Sequence, residues 1–135
     1  MNRRAFLVAM SAASLALVSD SAWAGSYLNR SALLLDGSRA ERDMVWPRSD
    51  DKELVKLVYG VAQARSESAR MMAVPKVVAM AHPHLLLVLE NCERAYATAL
   101  AGSHTRFVDH ILRARSEDQT FRALIKKIGY ALPQT

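Results

Sequence analysis

The fold is decided by residues 82–128, which read HPHLLLVLENCERAYATALAGSHTRFVDHILRARSEDQTFRALIKKI. The first half repeats apolar side chains at helical spacing: Leu85, Leu89, Cys92, Tyr96 and Ala99. The second half does the same: Phe107, Ile111, Ala114, Phe121, Ile125 and Ile128. Between them, Gly102 is a typical helix stop and Ser103 a typical helix cap. This pattern predicts two long helices that form an antiparallel hairpin.

Two more helices are predicted before this hairpin. Segment 26–46 opens with Ser26 as a candidate cap, and its pattern weakens near Gly37, where a bend is expected. Pro47 ends it, because proline disfavours a helical conformation in the preceding residue. Its apolar side chains share one stripe: Leu28, Ala32 and Leu35.

Segment 50–73 has the clearest helical signal. Asp50 and Glu53 have the spacing of a capping box. The side chains with helical spacing are Leu54, Leu57, Val58, Val61, Ser68, Ala69 and Met72. Pro75 interrupts the pattern before the hairpin begins at His82 and Pro83.

Composition supports a single helical domain. The chain has 135 residues, only 5 glycines and 4 prolines, and no alternating segment typical of a strand. We therefore predict an all-α protein, an antiparallel bundle of about four helices. The alternative is a short repeat-like array, because the hairpin around Tyr96 and Phe107 resembles a tetratricopeptide hairpin. Only one such unit occurs, whereas repeat proteins usually need three or more.

The N-terminus has the composition of a bacterial export signal. Positive charge at Arg3 and Arg4 precedes an apolar run of about 14 residues, shorter than the roughly 20 that span a bilayer as a helix. Ala22 and Ala24 have the small-residue spacing of a cleavage site. We expect a cleaved signal at residues 1–24, a single domain at residues 25–135, and no stable membrane span after cleavage.

Within this signal, residues 3–7 read RRAFL. The sequence resembles the twin-arginine export signal, with Arg3, Arg4, Phe6 and Leu7 at the positions of that motif. Asn2 and Val8 depart from the usual residues on either side. The resemblance covers the signal only. It implies recognition by the twin-arginine export machinery, transport in the folded state and a periplasmic location.

The distribution of charge and the absence of known motifs argue against several classes of function. The net charge of +5 is spread along the chain, whereas nucleic-acid binding favours a clustered basic face. The single cysteine excludes an internal disulfide framework, and Cys92 falls on a core stripe as a small hydrophobe. The phosphate-loop, zinc-protease and hydrolase motifs are absent from the sequence, so we expect no enzyme.

A metal site is the alternative that the bundle allows. A carboxylate and imidazoles on facing helices are how such folds bind metal, and His84, Glu93 and His110 are the candidate ligands. Neither histidine-bearing helix has the Glu-x-x-His motif of di-iron bundles. The competing interpretation places His82 at a helix cap and the other histidines on the surface, and no cofactor is predicted.

Two charged residues interrupt the apolar stripes. Arg65 and Asp118 each fall between core positions, and a buried charge needs a partner or access to water. We hypothesise that they form an ion pair across the core, the alternative being that Arg65 extends to solvent.

The sequence therefore predicts an exported periplasmic bundle of accessory or interaction type, with a protein partner or self-association. An exposed apolar patch would mark the binding surface, and Tyr27, Val45 and Trp46 are its candidate members.

Overall fold

The computed structural model describes residues 3–134, with side chains described from residue 24 onward. It has four α-helices: α1 (Arg3–Val45), α2 (Lys52–Arg70), α3 (His82–Leu100) and α4 (His104–Ile128). Two 3-10 turns, Trp46–Arg48 and Lys76–Val78, lie in the connections. No strand occurs between residues 3 and 134. The predicted all-α bundle of about four helices is confirmed.

Helix α3 lies at the centre of the bundle and packs against α4, α2 and α1. Every predicted stripe residue of α3 is buried, and so are those of α4 apart from Ile128, which is half-buried. The largest fully buried side chains are Tyr27, Tyr96, Phe107 and Phe121. Helix α1 adds its predicted stripe to the same core. Among the described residues, no helix combines the length and apolar character needed to cross a membrane.

The ends of the hairpin form as its sequence predicts. The Ser103 side chain accepts a hydrogen bond from the Arg106 backbone N–H at 3.4 Å and caps α4. Gly129 ends that helix with a φ of 102°, in the left-handed region where a side chain is unfavourable. Helix α2 differs by one residue, because Asp51 rather than Asp50 accepts the capping bond, from the Leu54 N–H at 3.2 Å.

Helix α1 is longer than predicted. It begins at Arg3, so Ser26 is an exposed residue inside the helix and not its cap. Helical structure continues through Gly37. A Cβ atom at Gly37 would lie 2.6 Å from Arg65 Nη2, so this glycine makes room for a guanidinium group from α2. The weak point in the pattern reflects close packing between helices.

The predicted apolar stripe of α2 is partly wrong about which side of the helix is buried. Val58 and Ala69 are buried as expected, but Leu57 is 72% exposed and Val61 is 42% exposed. The buried side of the helix is Val55, Val58, Ala62, Ser66 and Ala69. Three of these five side chains are alanine or serine, and the bulkier Leu57 and Val61 face outward.

This orientation predicts a large loss of stability from truncating one residue and almost none from truncating its neighbour. Val58→Ala removes buried methyl groups and is expected to lower the free energy of unfolding by about 1–3 kcal/mol. Leu57→Ala in dilute solution is expected to change it by less than about 0.5 kcal/mol. Urea denaturation followed by circular dichroism measures both. A larger loss for Leu57→Ala than for Val58→Ala would contradict the orientation of α2.

Candidate functional site

A buried ionic network links α1 to α4. Asp118 is almost fully buried, and its Oδ2 lies 3.3 Å from Arg42 Nη2, on a side chain that is equally buried. Its other oxygen, Oδ1, accepts a hydrogen bond from Arg122 Nε at 2.5 Å. Arg122 also contacts Asp36 Oδ1 at 3.1 Å, and Arg39 lies 3.5 Å from Asp118 at the surface end of the network. The carboxylate is therefore surrounded by three guanidinium groups.

Arg42 also joins this network to the thiol of α3. Its Nη1 donates to Ser38 Oγ at 3.0 Å and lies 3.6 Å from Cys92 Sγ. Ser38 Oγ and Cys92 Sγ are 3.1 Å apart. Burial alone would lower the pKa of Arg42, but the neighbouring Cys92 and Asp118 outweigh that effect and raise it above its ordinary value. The guanidinium therefore keeps its charge inside the core.

The hypothesised pair between Arg65 and Asp118 is not the one that forms. Asp118 pairs with the three arginines above, whereas Arg65 pairs with Glu41 of α1. Arg42 was not among the predicted site residues, although the sequence carries a signal for it. It lies seven residues after Leu35 and three before Val45, and so continues the buried stripe of α1. Because Arg42 lies inside the polar run 39–43, its place on the buried stripe of α1 is not obvious from the sequence.

The predicted metal ligands are not brought together. His84 Nδ1 contacts Glu117 Oε2 at 2.5 Å, and His110 Nδ1 contacts Asn91 Oδ1 at 3.1 Å. Glu93 lies nine residues after His84 on the same helix, about 13 Å along its axis. Within the described part of the chain, no group of three or more His, Cys, Asp or Glu side chains could hold a metal ion. The geometry gives no support to a metal site at these residues.

The remaining histidines have local roles. The Nδ1 of His82 lies 2.8 Å from the Tyr27 hydroxyl, which ties the start of α3 to α1. Ala81 and not His82 occupies the cap position there. Burial lowers the pKa of His82, so the neutral ring that accepts a hydrogen bond is favoured. His104 is exposed and contacts Ser49 at 3.2 Å.

The predicted apolar patch is wrong in two of its three residues. Tyr27 and Val45 are buried in the core. Trp46 is partly exposed, with the Arg115 guanidinium 5.2 Å from its ring centroid and the Phe107 ring at 6.1 Å. Trp46 therefore packs on α4 and does not form an exposed patch with the other two, which are buried.

Large exposed apolar side chains occur on the sides of α1 and α2 that face away from the core, and also at Val77, Met80 and Leu112. We call the first group the outer face, and its members are Leu33, Met44, Leu57 and Val61, with Met71 directly after α2. Leu33 is 62% exposed and Met71 is 76% exposed. These two also line a groove of about 470 Å³ between α1 and α2, together with Arg30, Leu34, Ser68 and Met72. An exposed groove lined by apolar side chains is a feature that interaction sites use.

The candidate export residues fall largely outside the part with described side chains. The side chains that lie outside the described part are Arg3, Arg4, Phe6, Leu7 and Ala22. Ala24 is described and is buried within α1. Comparison of the whole chain with protein-family models, with curated proteins and with solved structures finds no match in any of the three.

The ionic network generates a prediction for Asp118. Asp118→Asn keeps the shape of the side chain but leaves Arg42 buried without its counter-charge. We expect a loss of about 3–5 kcal/mol in the free energy of unfolding. The matched control is Asp109→Asn, an exposed site on the same helix, with an expected change below about 0.5 kcal/mol. Equal urea midpoints for the two variants would show that the network does not stabilise the fold.

Proposed function

We propose that this chain is an exported, periplasmic protein of accessory or interaction type, which acts by binding a protein partner and not by catalysis. The observation that carries the proposal is the outer face, where Leu57 and Met71 are each more than two-thirds exposed. Leaving such side chains in water is unfavourable, and covering them on association is the gain that a binding surface uses.

The polar groups that pair between helices support a binding role from another direction. Asp118 is held by arginines, and the Cys92 thiol is buried beside Ser38. His84 and His110 contact Glu117 and Asn91 at the surface of the hairpin. Each of these groups serves the packing of helices, whereas a nucleophile would need exposure and an adjacent base.

Export is supported by the N-terminal sequence. Arg3, Arg4, Phe6 and Leu7 match the twin-arginine signal, and such signals are addresses read by a receptor. A bundle of four connected helices is suited to a route that carries folded proteins. Its central hairpin closes through a turn of only a few residues, and local contacts of this kind favour fast folding.

Replacing the arginine pair tests the export half of the proposal. We expect the wild-type chain in the periplasmic fraction of a bacterial host, and Arg3→Lys with Arg4→Lys to retain it in the cytoplasm. A host without the twin-arginine machinery should retain the wild type as well. The control, Arg30→Lys with Arg48→Lys, changes the same residue type in the folded domain and should leave export intact. Periplasmic recovery of the twin-lysine variant would contradict this route.

Crosslinking in the living cell tests the interaction half. A photoreactive amino acid at Leu57 is expected to give a covalent adduct with a protein. The same group at Leu112, which is half exposed on α4, is expected to give none. Immunoblotting of the illuminated cells reads both. No adduct from position 57, or equal adducts from both positions, would contradict a binding role for the outer face.

A further inference from the structure

We propose that the hairpin of α3 and α4 carries a second interaction surface, formed by three arginines, which binds an acidic segment of another protein. We call this surface the arginine edge, and its members are Arg94, Arg106 and Arg113. It shares no residue with the outer face of α1 and α2, so the two surfaces are tested separately.

Helical spacing and one hydrogen bond place these arginines together. On α4, Arg106, His110 and Arg113 are four and three residues apart and therefore lie along one side of the helix. On α3, Arg94 comes three residues after Asn91 and lies on the same side of that helix. Asn91 Oδ1 and His110 Nδ1 are 3.1 Å apart, and this contact joins the two sides. The arginine of α3 therefore lies beside the two arginines of α4.

The electrostatic environment of the His110 ring supports this placement. Burial lowers the pKa of His110, and the positive charges of Arg113 and Arg94 lower it further, with a smaller effect from Arg106. The carboxylate of Asp109 opposes them only in part. Three arginines from two helices thus act on one imidazole, and positive charge is in excess around it.

The guanidinium groups of the arginine edge are available to bind an anion. All three side chains are exposed, and within the described residues none has an ion-pair or hydrogen-bond partner. The buried network differs, because its arginines are held by Asp118 and Asp36. A free guanidinium presents a planar fork of N–H donors that matches the two oxygens of a carboxylate.

The size of the arginine edge favours a protein segment as its ligand. Arg106 and Arg113 are separated by about 10 Å along the helix axis. Acidic side chains on alternate residues of an extended chain are about 7 Å apart, so two or three of them cover this distance. Membrane surfaces are recognised through clusters of about four to eight Lys or Arg side chains, more than the arginine edge provides.

Fluorescence anisotropy with a labelled hexaglutamate peptide tests the proposal on the full chain. We expect saturable binding that weakens as added salt screens the charges. Removing the three guanidinium groups should raise the dissociation constant at least about tenfold, because the charge-assisted hydrogen bonds are lost. The variant for this measurement combines Arg94→Gln, Arg106→Gln and Arg113→Gln.

The matched control removes the same net charge from exposed sites elsewhere on the bundle. It combines Lys52→Gln, Lys126→Gln and Lys127→Gln. Because distant surface charges are screened, the dissociation constant should change by less than about threefold. Circular dichroism establishes that both triple variants keep their helices.

Titration of the histidine rings by NMR locates the bound peptide on the wild-type chain. A carboxylate at the arginine edge should raise the pKa of His110, since it offsets the positive charges that lower it. His82 lies beside Tyr27 at the start of α3 and should keep the pKa that it has without peptide. A pKa of His110 that does not respond to saturating peptide would contradict the assigned position.

The remaining outcomes decide whether the ligand is a protein segment. A wild-type chain that does not bind hexaglutamate would overturn the proposal, as would equal weakening in the two triple variants. Vesicles of phosphatidylglycerol form the second arm of the experiment. Arginine-dependent binding to these vesicles without binding to hexaglutamate would overturn the protein segment in favour of a lipid surface.

Discussion

The carboxylate of Asp118 needs a positive charge beside it, and much of the structure depends on how that need is met. An uncompensated charge in a helical core is very unfavourable. Arg42 of α1 and Arg122 of α4 supply the compensation from two sides. Apolar contacts between helices are weakly directional, whereas these hydrogen bonds require definite positions. We interpret the network as the contact that sets where α1 lies along the hairpin of α3 and α4.

The hairpin itself could be predicted almost completely from its sequence. Its apolar residues form one stripe on each helix, and Gly102 and Ser103 mark the turn, so only one packing buries them all. Helix α2 could not be oriented in the same way. Apolar residues lie on two adjacent sides of α2, and both sets have helical spacing. The spacing alone therefore does not show which side is buried. The choice between Leu57 and Val58 depends on which side of α2 packs against α3, a property of the assembled bundle.

The candidate sites show a related limit. In the observed hairpin Asn91 contacts His110, so Glu93 stands about two residues beyond the level at which it could meet that ring. An error of two residues in the register of α3 against α4 is enough to separate two side chains, such as Glu93 and His110, that were predicted to face each other. The pairing of Asp118 was missed for another reason. A charge in an apolar stripe shows that a partner exists, but Arg39 and Arg42 on α1 and Arg65 on α2 are all candidates, and only the packing of the helices decides between them.

The burial of Cys92 also has a consequence for redox chemistry. Thiols react with oxidants and with disulfides when the thiolate is accessible to the attacking group. In the oxidising compartment proposed for this chain, an exposed lone cysteine would be open to mixed disulfides and to covalent pairing of chains. Cys92 lies in the core beside Ser38 and Arg42, so the folded domain shields it from both reactions. Folding before export would place the thiol in that protected state before it met an oxidant.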